Sequence, residues 1–316
     1  MRLSVVGVLS VVLSVPAVYG AVLAPRAVHP VKPNRTMLFH SHNDYVRKSP
    51  VYEAFQHGVF SFESDLYFDD KSESLYVAET VLEFKGDKKF ENFIIPRVLN
   101  VLEGKNGTLH SGSADKFVQA AKGHSTTHPD WYKYYAEGFG GMRPLQLLIE
   151  LKSKNSEAAW PHVLKALEPF RKRGWLTRDE HGVVHFGPLI AVGTGGTPTD
   201  QVAPREKRDI FFDCPLGSLN GTLDNSYHYN ATLCPMSSTE FIGVSDGYYG
   251  VLPANKKQRA AFKKDINQAH GIQSTTRFYS QIDFPPDSKY NGYNMLVEEG
   301  SDWLNLDDMN DAAKYR

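Results

Sequence analysis

Short apolar runs alternate with amphipathic stretches along most of this chain, and polar or charged residues close each run. The runs Met37–His40, Val59–Leu66, Leu145–Leu151, Leu189–Val192, Asp209–Phe212, Phe241–Val244, Thr276–Ile282 and Trp303–Leu306 have the length of strands. Helical spacing fills several intervals, at Val51–Gln56, Asn92–Glu103, Glu157–Arg173, Lys256–Ala269 and Tyr293–Glu299. About eight strands alternating with helices predict an α/β protein, closed as a (β/α)₈ TIM barrel rather than left as an open sheet. No repeat and no Pro/Ser-rich linker divides the chain, so residues 21–316 read as one domain. The stretch from about 104 to 144 is too long for an ordinary βα loop. Its Gly, His, Tyr and Trp content predicts a functional insertion beside a site.

The first residues change the picture. Met1 and Arg2 form a cationic start, Val5–Val15 is mostly apolar, and Pro16 breaks the run ahead of Gly20. That pattern predicts a signal peptide over residues 1–20 and a secreted protein; the run is too short to span a bilayer. No later stretch reads as a transmembrane segment. Acceptor sequons at Asn34, Asn106, Asn220 and Asn230 agree with a secreted glycoprotein. Cys214 and Cys234 are the sole cysteines, and in an oxidising compartment such a pair is expected to bridge. With 316 residues, 41% of them hydrophobic, and a net charge of −1, the chain gives no electrostatic reason to expect nucleic acid. A monomer acting on a small molecule or a lipid headgroup is the expectation.

Candidate chemistry gathers where strands end. His40 and His42 lie two apart at the end of the first run, with Asn43 next to them. Glu63 and Asp65 are also two apart, so both face one side of their strand. Glu150 and Lys152 repeat the device, and Asp307-Asp308 closes the series. The C-terminal strand ends of a barrel share one face, which brings these acids together. Two carboxylates about 4 Å apart repel by about 4 kcal/mol at an effective dielectric near 20. A proton, Lys152 or a hard divalent cation must offset that repulsion.

The residues around Ser41-His42-Asn43-Asp44-Tyr45, Glu63-Ser64-Asp65 and Glu150-Leu151-Lys152 resemble the phospholipase C-like phosphodiesterase superfamily. From about Pro33 onward the chain most resembles the fungal family named after altered inheritance of mitochondria protein 6. Arg208–Phe211, Asp213–Leu216 and Trp303–Asp308 carry that likeness along with the first two stretches. The resemblance implies a barrel, a Mg²⁺ or Ca²⁺ ion held by Glu63, Asp65 and Glu150, and His42 as acid/base. Asn43 matches a further metal-ligand position of the calcium-dependent members. Lys152 would help neutralise phosphate; His40 would orient or assist His42, or serve as a hydrogen-bonded barrel histidine. Such families carry a second catalytic histidine after a small hairpin, and here Glu79 stands at that place. Two readings therefore stand. One is a secreted, metal-dependent phosphoric diester hydrolase acting on a phospholipid or glycerophosphodiester. The other is a catalytically silent barrel that binds a ligand or glycan through Trp131–Tyr135.

Overall fold

Parallel strands whose inward residues follow the two-residue period wrap into one nearly closed barrel. The computed structural model describes residues 27–83, 86–105, 114–152, 155–203, 206–223, 227–244 and 247–316. The leader over residues 1–20 and the sequon at Asn106 lie outside them. The barrel strands are β1 (Leu38–Ser41), β2 (Ser61–Asp69), β3 (Leu145–Leu151) and β4 (Leu189–Gly195), then β5 (Ile210–Pro215), β6 (Met236–Glu240), β7 (Thr275–Tyr279) and β8 (Trp303–Leu306). Their hydrogen-bonded order is β7-β6-β5-β4-β3-β2-β1-β8. This is the expected (β/α)₈ arrangement, with helices such as Lys256–Gly271 and Pro286–Glu299 on the outside.

One strand differs from the expectation. Phe241–Val244 is a helical turn, and the strand is the preceding Met-Ser-Ser-Thr-Glu segment. A polar strand can be buried because its hydroxyls find partners, as Ser237 Oγ and Ser274 Oγ do at 2.7 Å. Its apolar follower caps the barrel from outside, where Phe241 stacks on Phe262 at 4.9 Å.

The aromatic insertion is also corrected. Its helices Ala114–Ala121 and Trp131–Glu137 pack at the N-terminal end of the barrel, opposite the strand ends that carry the acids. Trp131, Tyr134 and Tyr135 are buried in one cluster with Leu38, Leu148, Ile190, Phe211 and Trp303. Trp131 Nε1 donates to the Ala231 carbonyl ahead of β6, and Tyr132 OH donates to Thr36 O ahead of β1. An open barrel bottom lined by apolar side chains needs an apolar plug, and these rings supply it. They are core, not a ligand platform.

The ladder ends at β7 and β8, so side chains stitch that seam. Trp303 Nε1 donates to Thr275 Oγ1 at 2.8 Å, and Arg277 Nε donates to Asn305 Oδ1 at 2.9 Å. Between them the buried Asp302 Oδ2 accepts from Thr276 N at 2.8 Å and Thr276 Oγ1 at 3.0 Å. It also lies 2.8 Å from His270 Nε2, while Oδ1 lies 2.9 Å from Arg35 Nη2. Away from the seam, Cys214 and Cys234 form the expected disulfide. Because Asp302→Ala leaves the buried Thr276 N–H without an acceptor, it should cost about 1–3 kcal/mol. Urea unfolding measures this, and an unchanged midpoint would refute the seam's dependence on Asp302.

Candidate active site

The barrel interior changes character along its axis. Near the N-terminal end the inward residues are Leu38, Ile190, Phe211, Met236 and Trp303, all buried and apolar. One inward step further, β1, β5 and β8 present His40, Asp213 and Asn305, and β2 and β7 add Glu63 and Arg277. A polar thread joins the two levels. Tyr135 OH donates to Gln146 Oε1, Gln146 Nε2 donates to Ser61 Oγ at 2.7 Å, and Ser61 Oγ meets His40 Nδ1 at 2.6 Å.

At the C-terminal mouth Glu63, Asp65 and Glu150 offer ligand oxygens that all lie within 4.8 Å of one another. Gly195 at the end of β4 makes room for them. A Cβ there would stand 2.7 Å from Glu150 Cγ, and its φ of +61° favours glycine. Arg277 Nη2 approaches both Glu63 oxygens at 3.4 Å from below. Burial alone would push Glu63 up, but Arg277 and the neighbouring histidines hold it well below the usual carboxylate range. Burial and the charge of Glu63 push Asp65 up to about 9, and push Glu150 up as well. Asp65 Oδ1 is buried without a hydrogen-bond partner. Three clustered oxygen donors, with the Asp65 and Glu150 carboxyls raised and one atom of Asp65 orphaned, suit a hard divalent cation.

Lys152 Nζ faces the same acids from the mouth, 3.1 Å from Asp65, 3.3 Å from Glu150 and 3.2 Å from Glu79. Glu79 thus joins the cluster. Its hydrogen bond with Asp65, aided by Tyr45 and Lys152, holds the carboxyl down at about 2. Tyr45 OH lies 2.7 Å from Glu79 Oε2 and 3.0 Å from Asp65 Oδ2 and shares its one proton between them.

His42 stands on the other side of Glu63, with Nε2 3.9 Å from Glu63 Oε2 and Nδ1 2.7 Å from Asp307 Oδ1. Burial lowers its pKa, but Asp307 and Glu63 outweigh that and raise it above the ordinary imidazole value. His40 lies deeper and fully buried, where desolvation and Arg277 hold it at about 4, so it stays neutral. Asn43 meets Glu63 through its backbone N–H, 3.3 Å from Oε2, in the left-handed conformation that asparagine tolerates. The structure therefore gathers all eight sequence candidates, although His40 lies beneath the mouth. Sequence reasoning missed Arg277, a lone cation in the apolar run of β7, and the role of Asp307 one residue past β8. A charged inward position between Thr275 and Tyr279 was the available signal for the first. A separate cavity of about 460 Å³, lined by Trp160, Arg171, Asp209 and Ile210, opens near the start of β5 and holds none of these residues.

This barrel, with three acids and a histidine at its C-terminal mouth, defines a phosphodiesterase-type fold. The AIM6-like phosphodiesterase domain matches residues 28–213, and the chain belongs to that family. It is 30% identical to an altered inheritance of mitochondria protein 6 homolog of Arthroderma benhamiae, covering 87% of this chain and 82% of that one. It is 25% and 26% identical to altered inheritance of mitochondria protein 6 of Eremothecium gossypii and Kluyveromyces lactis, covering 87% of this chain and 68% and 71% of theirs. Those names correct the secreted location: they tie the relatives to mitochondrial inheritance, not to export. The export reading rested on a short apolar run behind a cationic start, and hydrophobicity of that kind does not specify which membrane system reads it. Among the described residues no helix is long and apolar enough to cross a membrane.

The Asp307 contact yields a test of proton placement. Asp307→Asn removes the charge that raises His42, so the His42 pKa should fall, read from its ring-proton NMR shift against pH. A value that stays put would assign the upward shift to Glu63 alone.

Proposed function

We propose that the chain is a metal-dependent phosphoric diester hydrolase acting on a phospholipid or a glycerophosphodiester. The observation that carries this reading is the convergence of Glu63, Asp65 and Glu150 beside His42, with Asp307 behind the imidazole. A Mg²⁺ or Ca²⁺ ion bound by the three acids would neutralise charge on the non-bridging phosphate oxygens. Lys152 adds a cation at the mouth for the same oxygens. Asp307 on Nδ1 orients His42 and stabilises its charged form, which leaves Nε2 to take a proton from the nucleophile or return one to the leaving oxygen. Glu79, held ionised, is an acceptor that steadies Lys152 and Tyr45. His42 therefore carries the proton transfers, and turnover is expected to be modest for want of a second acid.

Asp65→Asn should abolish the rise in melting temperature on adding Mg²⁺ or Ca²⁺ and, with it, hydrolysis of a phosphodiester panel. Turnover that survives a chelator would remove the metal from this reading. His42→Ala should lower turnover by about 10²- to 10⁴-fold, the usual worth of a positioned acid/base. If the wild type binds the cation yet cleaves nothing on a broad panel, the silent ligand-binding barrel becomes the better account. In that case the ligand would enter at the mouth, since Trp131, Tyr134 and Tyr135 are buried at the opposite end.

A further inference from the structure

The acids and His42 occupy only half of the mouth. They come from β8, β1, β2 and β3, while β4, β5, β6 and β7 close the other half. There Thr194, Asp213 and Ser238 point inward, each two positions beyond a buried apolar residue of its strand, Val192, Phe211 or Met236. None of the three has a part in the hydrolysis proposed above. Thr194 Oγ1 donates to Asp213 Oδ2 at 3.1 Å. Asp213 and Ser238 are each 8% exposed. The two side chains are neighbours, and Ser238 tempers the Asp213 carboxyl. Yet Asp213 Oδ1 and Ser238 Oγ are both buried without a hydrogen bond of good geometry among the described residues. Folded proteins seldom leave one such atom unpaired, and here two stand together.

Charge sharpens the picture. Tyr279 at the end of β7 feels Asp213, Arg277, Glu240 and Glu150 together, so this half and the metal-ligand acids share one hollow. The nearby cations are already committed. Arg277 is held by Glu63 and Asn305, and Lys152 by Asp65, Glu150 and Glu79. Burial raises Asp213 to about 6 against the pull of Arg277, so at neutral pH it is an ionised acceptor. We infer that this half of the mouth is a subsite for a primary ammonium on one ester arm of the phosphodiester, with Asp213 as the specificity-determining residue. The inference rests on the hydrolase reading, which holds the phosphate beside the acids and His42 and sends an ester arm across the hollow. A primary ammonium has three N–H donors, enough for Asp213 Oδ1 and Ser238 Oγ with one to spare. A hydroxyl donates once and brings no charge. A trimethylammonium donates nothing and leaves both atoms unpaired, which is how a polar site rejects a near relative of its ligand. An ethanolamine phosphodiester therefore fits better than a choline or glycerol one.

The test is turnover of glycerophosphoethanolamine, glycerophosphocholine and glycerophosphoglycerol by the full chain with Mg²⁺ and with Ca²⁺. Calorimetric titration with phosphoethanolamine and phosphocholine runs beside it. Wild type should favour the ethanolamine ester in kcat/KM by about tenfold or more, and bind phosphoethanolamine over phosphocholine by a similar factor. Asp213→Asn keeps the shape and removes the charge, and should erase both preferences with the loss falling on KM. Ser238→Ala should reduce them by less, and it keeps the test open if Asp213→Asn fails to fold by its melting curve. Turnover without preference, or with preference for the choline or glycerol ester, overturns the subsite and leaves the hydrolase reading standing. A preference for the amine that survives both substitutions also overturns it. Asp213-dependent binding of phosphoethanolamine without turnover of any ester leaves the subsite standing and overturns the hydrolase reading. Neither turnover nor selective binding overturns both.

Discussion

Repulsion among carboxylates buried at one end of the barrel is the constraint to which the rest of the structure answers. Glu63, Asp65 and Glu150 cannot all remain charged in so small a space without cations. Arg277 compensates from below and Lys152 from the mouth, and the set that remains could hold a further positive ion. Arg277 serves closure as well, because its Nε joins β7 to Asn305 of β8 where the strand ladder stops. Charge balance in the site and closure of the barrel thus depend on one guanidinium. Its planar, forked donors suit that double duty better than an ammonium would.

The two ends of the barrel divide the work. At the N-terminal end, Trp131, Tyr134 and Tyr135 fill the opening and Asp302 fastens the seam, which keeps the strands at fixed distances. At the C-terminal end the inward side chains turn polar, and the acids and His42 gather there. The thread from Tyr135 through Gln146 and Ser61 to His40 connects plug and site. It holds the neutral imidazole beneath Glu63, so packing at the bottom sets the floor of the chemistry at the top.

Much of this was legible along the chain. Alternation alone directs Glu63 and Asp65 to one face, and Glu150 with Lys152 to another that lies beside it. The resemblance supplied their grouping with His42. The Cys214–Cys234 bridge was legible from the cysteine count, given only two thiols to pair. β6 was misplaced because its sequence, Met-Ser-Ser-Thr-Glu, lacks the apolar signal that periodicity detects. Its burial depends on hydroxyl partners contributed by a neighbouring strand.

What the sequence determined by itself is therefore local: which segments are strands or helices, and which side of each strand carries charge. These follow from neighbours two to four residues apart, whose spacing is written in the chain. Tertiary structure alone decided the pairings that cross the barrel. Arg277 reaches Glu63 across 214 residues of sequence, and His42 reaches Asp307 across 265. It also decided that the aromatic insertion is a plug rather than a ligand surface, since the same rings suit either role until an unfilled end of the barrel claims them. The physical reason is closure: it brings distant strand ends within ion-pair distance, and no periodicity along the chain encodes that distance.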